Sequence, residues 1–225
     1  MRKIFFKGVN QLILFLWGII FIVSSAYAIP SLQLYIPGST YDPITESWTT
    51  TASDFELQVL GASSPHNADY IKNVTLYIAI NENEKGLPGA YVNINGSPID
   101  FNYYGNPFLM PPHGIYPTYY RAYWLPNLMV STAGEIVHNY NPGGSGTDLG
   151  DIHYLSINWG GYSRIHFDLA GIVVNKYGKK YYRRAPFSHD AEVNSPPPAP
   201  VVPEPSTMLL LLPGLLGLAN FRRSI

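Results

Sequence analysis

Apolar and polar residues alternate with a period of two over several short stretches of the chain. Phe55, Leu57 and Val59 alternate with Glu56 and Gln58. Val74, Leu76, Ile78 and Ile80 fall on one face of VTLYIAI, and Ile165, Phe167 and Leu169 on one face of RIHFDL. This is the period of a strand with one dry face and one wet face. Further strands are predicted over 32–36, 91–94, 118–125, 152–159 and 172–175, with another near 179–183. No long stretch keeps the 3.6-residue period of a helix. Asn95-Gly96, set between apolar alternations, predicts a hairpin, and VNKYGKKYY predicts a second, weaker one. Pro, Gly and Tyr crowd 102–117, where a long ordered loop is expected. Short strands separated by turn signals point to an all-β fold. The expectation is an antiparallel, jelly-roll-like β-sandwich over 29–194.

The two ends break this pattern. Arg2, Lys3 and Lys7 precede an apolar run over 12–23, and Ala26-Tyr27-Ala28 follows it. A basic start, an apolar centre and a small-x-small site, Ala26 and Ala28, form a signal peptide over 1–28, cut by signal peptidase after Ala28. The alternative, a first transmembrane helix, needs ~20 apolar residues, more than the run supplies. Removal of 1–28 takes three basic residues and leaves 11 basic against 15 acidic, a formal charge of −4. No basic cluster of the kind that neutralises phosphates is present, so nucleic acid is not an expected partner. The sequence holds no cysteine. That excludes disulfides, a cysteine-linked lipid anchor and a thiol nucleophile.

Consecutive prolines make 195–202 an extended linker. Beyond it, 208–219 is apolar and Arg222-Arg223 follows. Counted over 206–221, this is a thin membrane crossing, a single transmembrane helix stopped by arginines that stay cytoplasmic. Val202-Pro203-Glu204-Pro205, a short apolar segment and a terminal arginine pair together resemble the PEP-CTERM sorting signal of Gram-negative bacteria, here over 203–225. The resemblance implies an exosortase as processing partner. It further implies transient anchoring in the inner membrane, removal of the tail, and release to the cell surface or the exopolysaccharide matrix of a biofilm. The alternative is a plain C-terminal membrane anchor. In the middle of the chain, PSLQLYIPGSTYD, PPHGIYPTYY, IHFDL and APFSHDAE resemble the choice-of-anchor N family. That family implies an ectodomain working outside the cell, and no assigned activity.

The residues best suited to chemistry are His113, His166, Asp168, His189 and Asp190. On a strand, Arg164, His166 and Asp168 project together from the face opposite Ile165 and Phe167. His166 and Asp168 can then share an ion or a hydrogen bond. Imidazole with carboxylate suits zinc or another first-row metal, and carboxylate with backbone oxygen suits calcium. No cofactor is required by the sequence; calcium or another divalent metal is the candidate. The plainer reading makes these residues loop-fixing hydrogen-bond groups, because no metal-ligand spacing motif is present. Asp148 and Asp151 flank a glycine as ordinary loop residues. PGGSGTD lacks the lysine ending of a phosphate loop, and no nucleophile elbow is found. No catalytic residue is named, and the reading leans away from an enzyme.

Tyr116, Tyr120 and Trp124 lie in an aromatic-rich stretch and are candidate sugar contacts, since aromatic faces suit sugar rings. The plainer reading puts Tyr120, Ala122 and Trp124 into the core on one parity. The leading expectation is an exported structural or adhesive protein of the extracellular polysaccharide. A carbohydrate-binding module is the first alternative and a surface hydrolase using the His/Asp residues the second.

Overall fold

β-Branched and aromatic residues at every second position need two dry faces to pack together, and two facing sheets supply them. The structure, a computed structural model, describes residues 29–108, 110 and 114–196. The signal segment with Ala26 and Ala28, His113, and the tail with Val202, Pro203, Glu204, Pro205, Arg222 and Arg223 lie outside the described residues. Among the described residues no helix is long and apolar enough to cross a membrane.

Fourteen strands, numbered along the chain, make two sheets among the described residues. The six-stranded sheet runs β1 (Leu32–Tyr35), β4 (Asp54–Ala62), β11 (Thr147–Gly160), β6 (Tyr91–Ile94), β7 (Ser97–Pro98), with β10 (Glu135–His138) also on β11. The eight-stranded sheet runs β2 (Thr40–Asp42), β3 (Ser47–Thr50), β14 (Asp190–Asn194), β12 (Arg164–Asn175), β5 (Ala68–Ile80), β9 (Thr118–Trp124), β8 (Tyr103–Gly105), with β13 (Lys180–Arg184) also on β12. One helical turn, α1 (Val130–Ala133), precedes β10. The β-sandwich expectation holds, with one departure. β14 pairs with β3 in parallel, so the architecture is not wholly antiparallel.

Leu57, Val59, Ile94 and Ile157 from one sheet meet Leu76, Ile78, Ile165, Phe167 and Leu169 from the other in one core. Phe55 stands edge-on to Phe167, ring centroids 6.1 Å apart. Each fully buried aliphatic or aromatic side chain of this kind contributes ~1.5–3 kcal/mol. The Asn95-Gly96 hairpin forms as expected between β6 and β7, with φ of 50° and 76° at the two turn residues. The weaker turn forms too. Asn175 Oδ1 accepts from the Tyr177 and Lys179 amides and leads β12 into β13.

Three expectations change. Asp148 and Asp151 lie within β11 rather than in a loop. The carboxylate of Asp148 accepts from the Ser64 amide at 2.5 Å, and that of Asp151 from the Met129 amide at 2.5 Å. Asp190 opens a strand rather than sitting in a loop, because APFSHD ends in a short 3₁₀ turn (Phe187–His189) and the chain then runs straight into β14. The expected loop 102–117 contains β8, and Met110, Ile115 and Tyr116 of its later part lie against the sheet. There Met110 and Tyr116 pack with Ala79 and Ala170 on the outer face, the face turned away from the partner sheet. One stretch of β12 is therefore dry on both faces.

Candidate functional site

The parity of RIHFDL places Ile165, Phe167 and Leu169 in the core and sends His166 and Asp168 to the outer face, as expected. What the pattern did not show is that this face is covered. His166 is 3% exposed, Asp168 2% and Asp190 2%. β14 supplies the second half of the site. His166 stands opposite Glu192 and Phe167 opposite Ala191, which puts Asp190 and Glu192 on the same face as the histidine.

The imidazole sits between carboxylates. His166 Nδ1 is 3.4 Å from Glu192 Oε2. His166 Nε2 is 3.4 Å from Asp168 Oδ1 and 3.9 Å from Asp190 Oδ2. One ligating atom from each of His166, Asp168 and Asp190 lies within 4.8 Å of the others. Tyr116 closes the site from above and donates its hydroxyl to Asp168 Oδ2 at 2.7 Å. Arg164 is paired with Glu192, and Asn194 Nδ2 donates to Glu192 Oε1 at 2.9 Å.

Electrostatics follow from burial and neighbours. Burial pushes the His166 pKa down, but Asp168 and Glu192 push it up more, and the net direction is up. Burial, with the Asp168 carboxylate beside it, holds Asp190 well above the usual carboxylate range, against a smaller downward pull from Arg184. Burial raises Glu192, but its bonds to His166 and Arg164 outweigh that and lower it. Burial and the adjacent Asp168 raise Tyr116 well above the ordinary phenol. Arg164 and Arg184 supply part of the positive charge these carboxylates need, and a proton or a cation can supply the rest.

Of the five residues picked from the sequence, the structure brings His166, Asp168 and Asp190 together. His189 turns elsewhere. Its Nδ1 is 3.0 Å from Ser188 Oγ and its Nε2 3.5 Å from Asn139 Oδ1, and burial lowers its pKa to about 4, so it is a neutral strut. Glu192 was missed. Its signal was its spacing, two residues from Asp190 and hence on the same strand face.

The aromatic candidates divide. Tyr116 is buried against Asp168 and offers no sugar contact. Tyr120 is half-buried, stacked on Tyr103 at 5.5 Å and edge-on to Tyr77 at 6.1 Å. Trp124 is 72% exposed. The shared parity of Tyr120, Ala122 and Trp124 is real but faces outward; Tyr119 and Tyr123 pack on the core instead. Trp124 borders a cleft of about 520 Å³ with Tyr77, Phe108 and Tyr182, the last 60% exposed. Asn73 and Asn127 add amides, and none of the described residues that line it is charged. Asn73 takes φ 51° where β5 carries one extra residue against β12 between Ala170 and Ile172. A bulge of this kind re-aims a side chain. Trp124 also borders a second cleft of about 480 Å³ with His153 and Tyr154. Tyr77, Phe108 and Tyr182 were missed. Tyr182 alone had a signal, its opposite parity to Tyr181 in KKYYRR.

The remaining clue is the tail. Residues 201–224 match the PEP-CTERM protein-sorting motif. That motif marks a chain for export and for sorting by an exosortase system to the cell surface. The matched residues do not reach the stretches on which the choice-of-anchor N resemblance rests. Comparison with curated proteins and with solved structures finds no match to the chain.

Proposed function

We propose that the sorted protein is an adhesive component of the extracellular polysaccharide matrix, and that it holds neutral sugar chains in the cleft beside Trp124. The observation that carries this reading is the Trp124 side chain itself. A tryptophan 72% exposed, standing between two clefts with tyrosines and amides around it, leaves a large apolar face in water. Sugar rings stack on such faces, and amides bond their hydroxyls. The uncharged lining of the larger cleft, among the described residues, favours a neutral chain over an acidic one. The hydrolase reading is weaker, because His166, Asp168 and Asp190 are buried and the pocket of about 50 Å³ that reaches His166 is too small for a polymer.

A glycan array of neutral and acidic polysaccharides, probed with the exported protein and with Trp124→Ala, tests the reading. Saturable binding to neutral glycans that falls about tenfold in Trp124→Ala supports it. No binding to any glycan, or binding that the substitution leaves intact, overturns it. Delivery has its own test: replacing Glu204 or deleting 208–225 changes the protein's surface fraction in an exosortase-positive host. Unchanged fractionation of both variants contradicts the sorting reading.

A further inference from the structure

His166 is held at both ring nitrogens, and the way it is held has a consequence. Glu192 Oε2 sits 3.4 Å from Nδ1, and an imidazole that gives its Nδ1 proton to a carboxylate turns an Nε2 lone pair to the other side. On that side stand two more carboxylates, at 3.4 and 3.9 Å. Separations of this length serve a shared proton, as at Nδ1, and they also suit atoms that share an ion. Two ligands each ~2.1 Å from a zinc ion at the tetrahedral angle lie ~3.4 Å apart.

A second observation comes from Asp190. Its Oδ1 is buried and has no hydrogen-bond partner among the described residues, in a side chain that is 2% exposed. Buried carboxylate oxygens are ordinarily satisfied, and one that is not calls for a missing partner. The surroundings are those of a metal ligand shell. Glu192 orients the histidine, and the Tyr116 hydroxyl orients Asp168 through Oδ2, leaving Oδ1 toward the imidazole.

We propose that His166 Nε2, Asp168 and Asp190 bind one first-row divalent metal ion, zinc being the best fit, which ties β12 to β14 beneath the Tyr116 loop. The imidazole decides the class of ion. Calcium and magnesium take shells of oxygen, whereas one nitrogen and two carboxylates suit zinc or manganese. Three protein ligands leave a fourth position for a water, and a pocket of about 50 Å³ reaches His166 beside Gly114 and Ile115. The site lies at the β12–β14 pairing, and its role is structural. It stands independently of sugar binding at Trp124.

The test uses the exported protein purified without chelator. Elemental analysis is expected to give one equivalent of zinc or manganese per chain. Chelator is expected to lower the melting temperature by about 5–10 °C, and zinc to restore it where calcium does not. Asp190→Asn, shown to be folded by circular dichroism, is expected to purify without metal and to melt alike with and without chelator. Should that variant not fold, the wild-type chelation and add-back decide alone. Metal-free protein whose melting responds to neither chelator nor zinc overturns the proposal and leaves a shared proton between the carboxylates. Restoration by calcium alone overturns it as well.

Discussion

The outer surface of β12 has two ends built from one strand, and they behave oppositely. At its start, His166 and Asp168 lie buried under Tyr116 and are held by charge. Past Ala170, the same strand borders a cleft whose described lining is uncharged, with Trp124 and Tyr182 at its rim, open to solvent. Ala170 belongs to both, packing with Tyr116 on one side and lining the cleft on the other. The loop makes the difference. Where it lies down, polar side chains become a buried cluster whose members need one another. Past it, aromatic faces stay in water with no described residue to cover them. One sheet can thus carry a brace and a contact surface side by side.

That contrast predicts that closed-end substitutions act on stability and open-end substitutions on binding. Phe167→Ala, under the closed end, should cost about 3–5 kcal/mol in denaturant unfolding, the usual cost of emptying a buried phenylalanine site. Tyr116→Phe should cost about 1–3 kcal/mol, since Asp168 Oδ2 loses its buried donor, while saccharide affinity stays unchanged. Trp124→Ala should reverse that outcome. Its unfolding free energy should move by no more than about 0.5 kcal/mol, and its affinity for a neutral glycan should fall about tenfold. Tyr182→Ala should weaken binding a few-fold, by about 0.5 kcal/mol, with unfolding again unmoved. A Tyr116→Phe protein that loses glycan binding, or a Trp124→Ala protein that melts early, breaks the division between the two ends.

The sequence carried the inward half of this architecture well. Period-two alternation placed Phe55, Leu57 and Val59 and the Ile165–Leu169 face in the core, because an apolar side chain has one favourable direction on a strand. It also put His166 and Asp168 on one face. It could not say whether that face was wet, which depends on Tyr116 arriving from 52 residues away in the chain to meet Asp168. Glu192 was hidden for a similar reason: its partnership with His166 is set by the β12–β14 register, a long-range pairing. Trp124 was legible as an exposed-aromatic candidate, but its neighbours Tyr77 and Tyr182 come from other strands and share no local motif with it. The tail motif was legible from its own residues alone, because a sorting signal is read as a short linear segment.

The most direct test of the open end is tryptophan emission. Of the described tryptophans, Trp159 is buried and Trp48 half-buried, whereas Trp124 is 72% exposed and dominates any response to a ligand at the surface. Titrating the exported protein with a neutral oligosaccharide taken from the array should give a saturable blue shift as a sugar ring covers Trp124. The shift should be absent in Trp124→Ala and intact in Tyr116→Phe. No shift in the wild type, or a shift that survives in Trp124→Ala, would contradict the assignment of the open cleft as the polysaccharide contact.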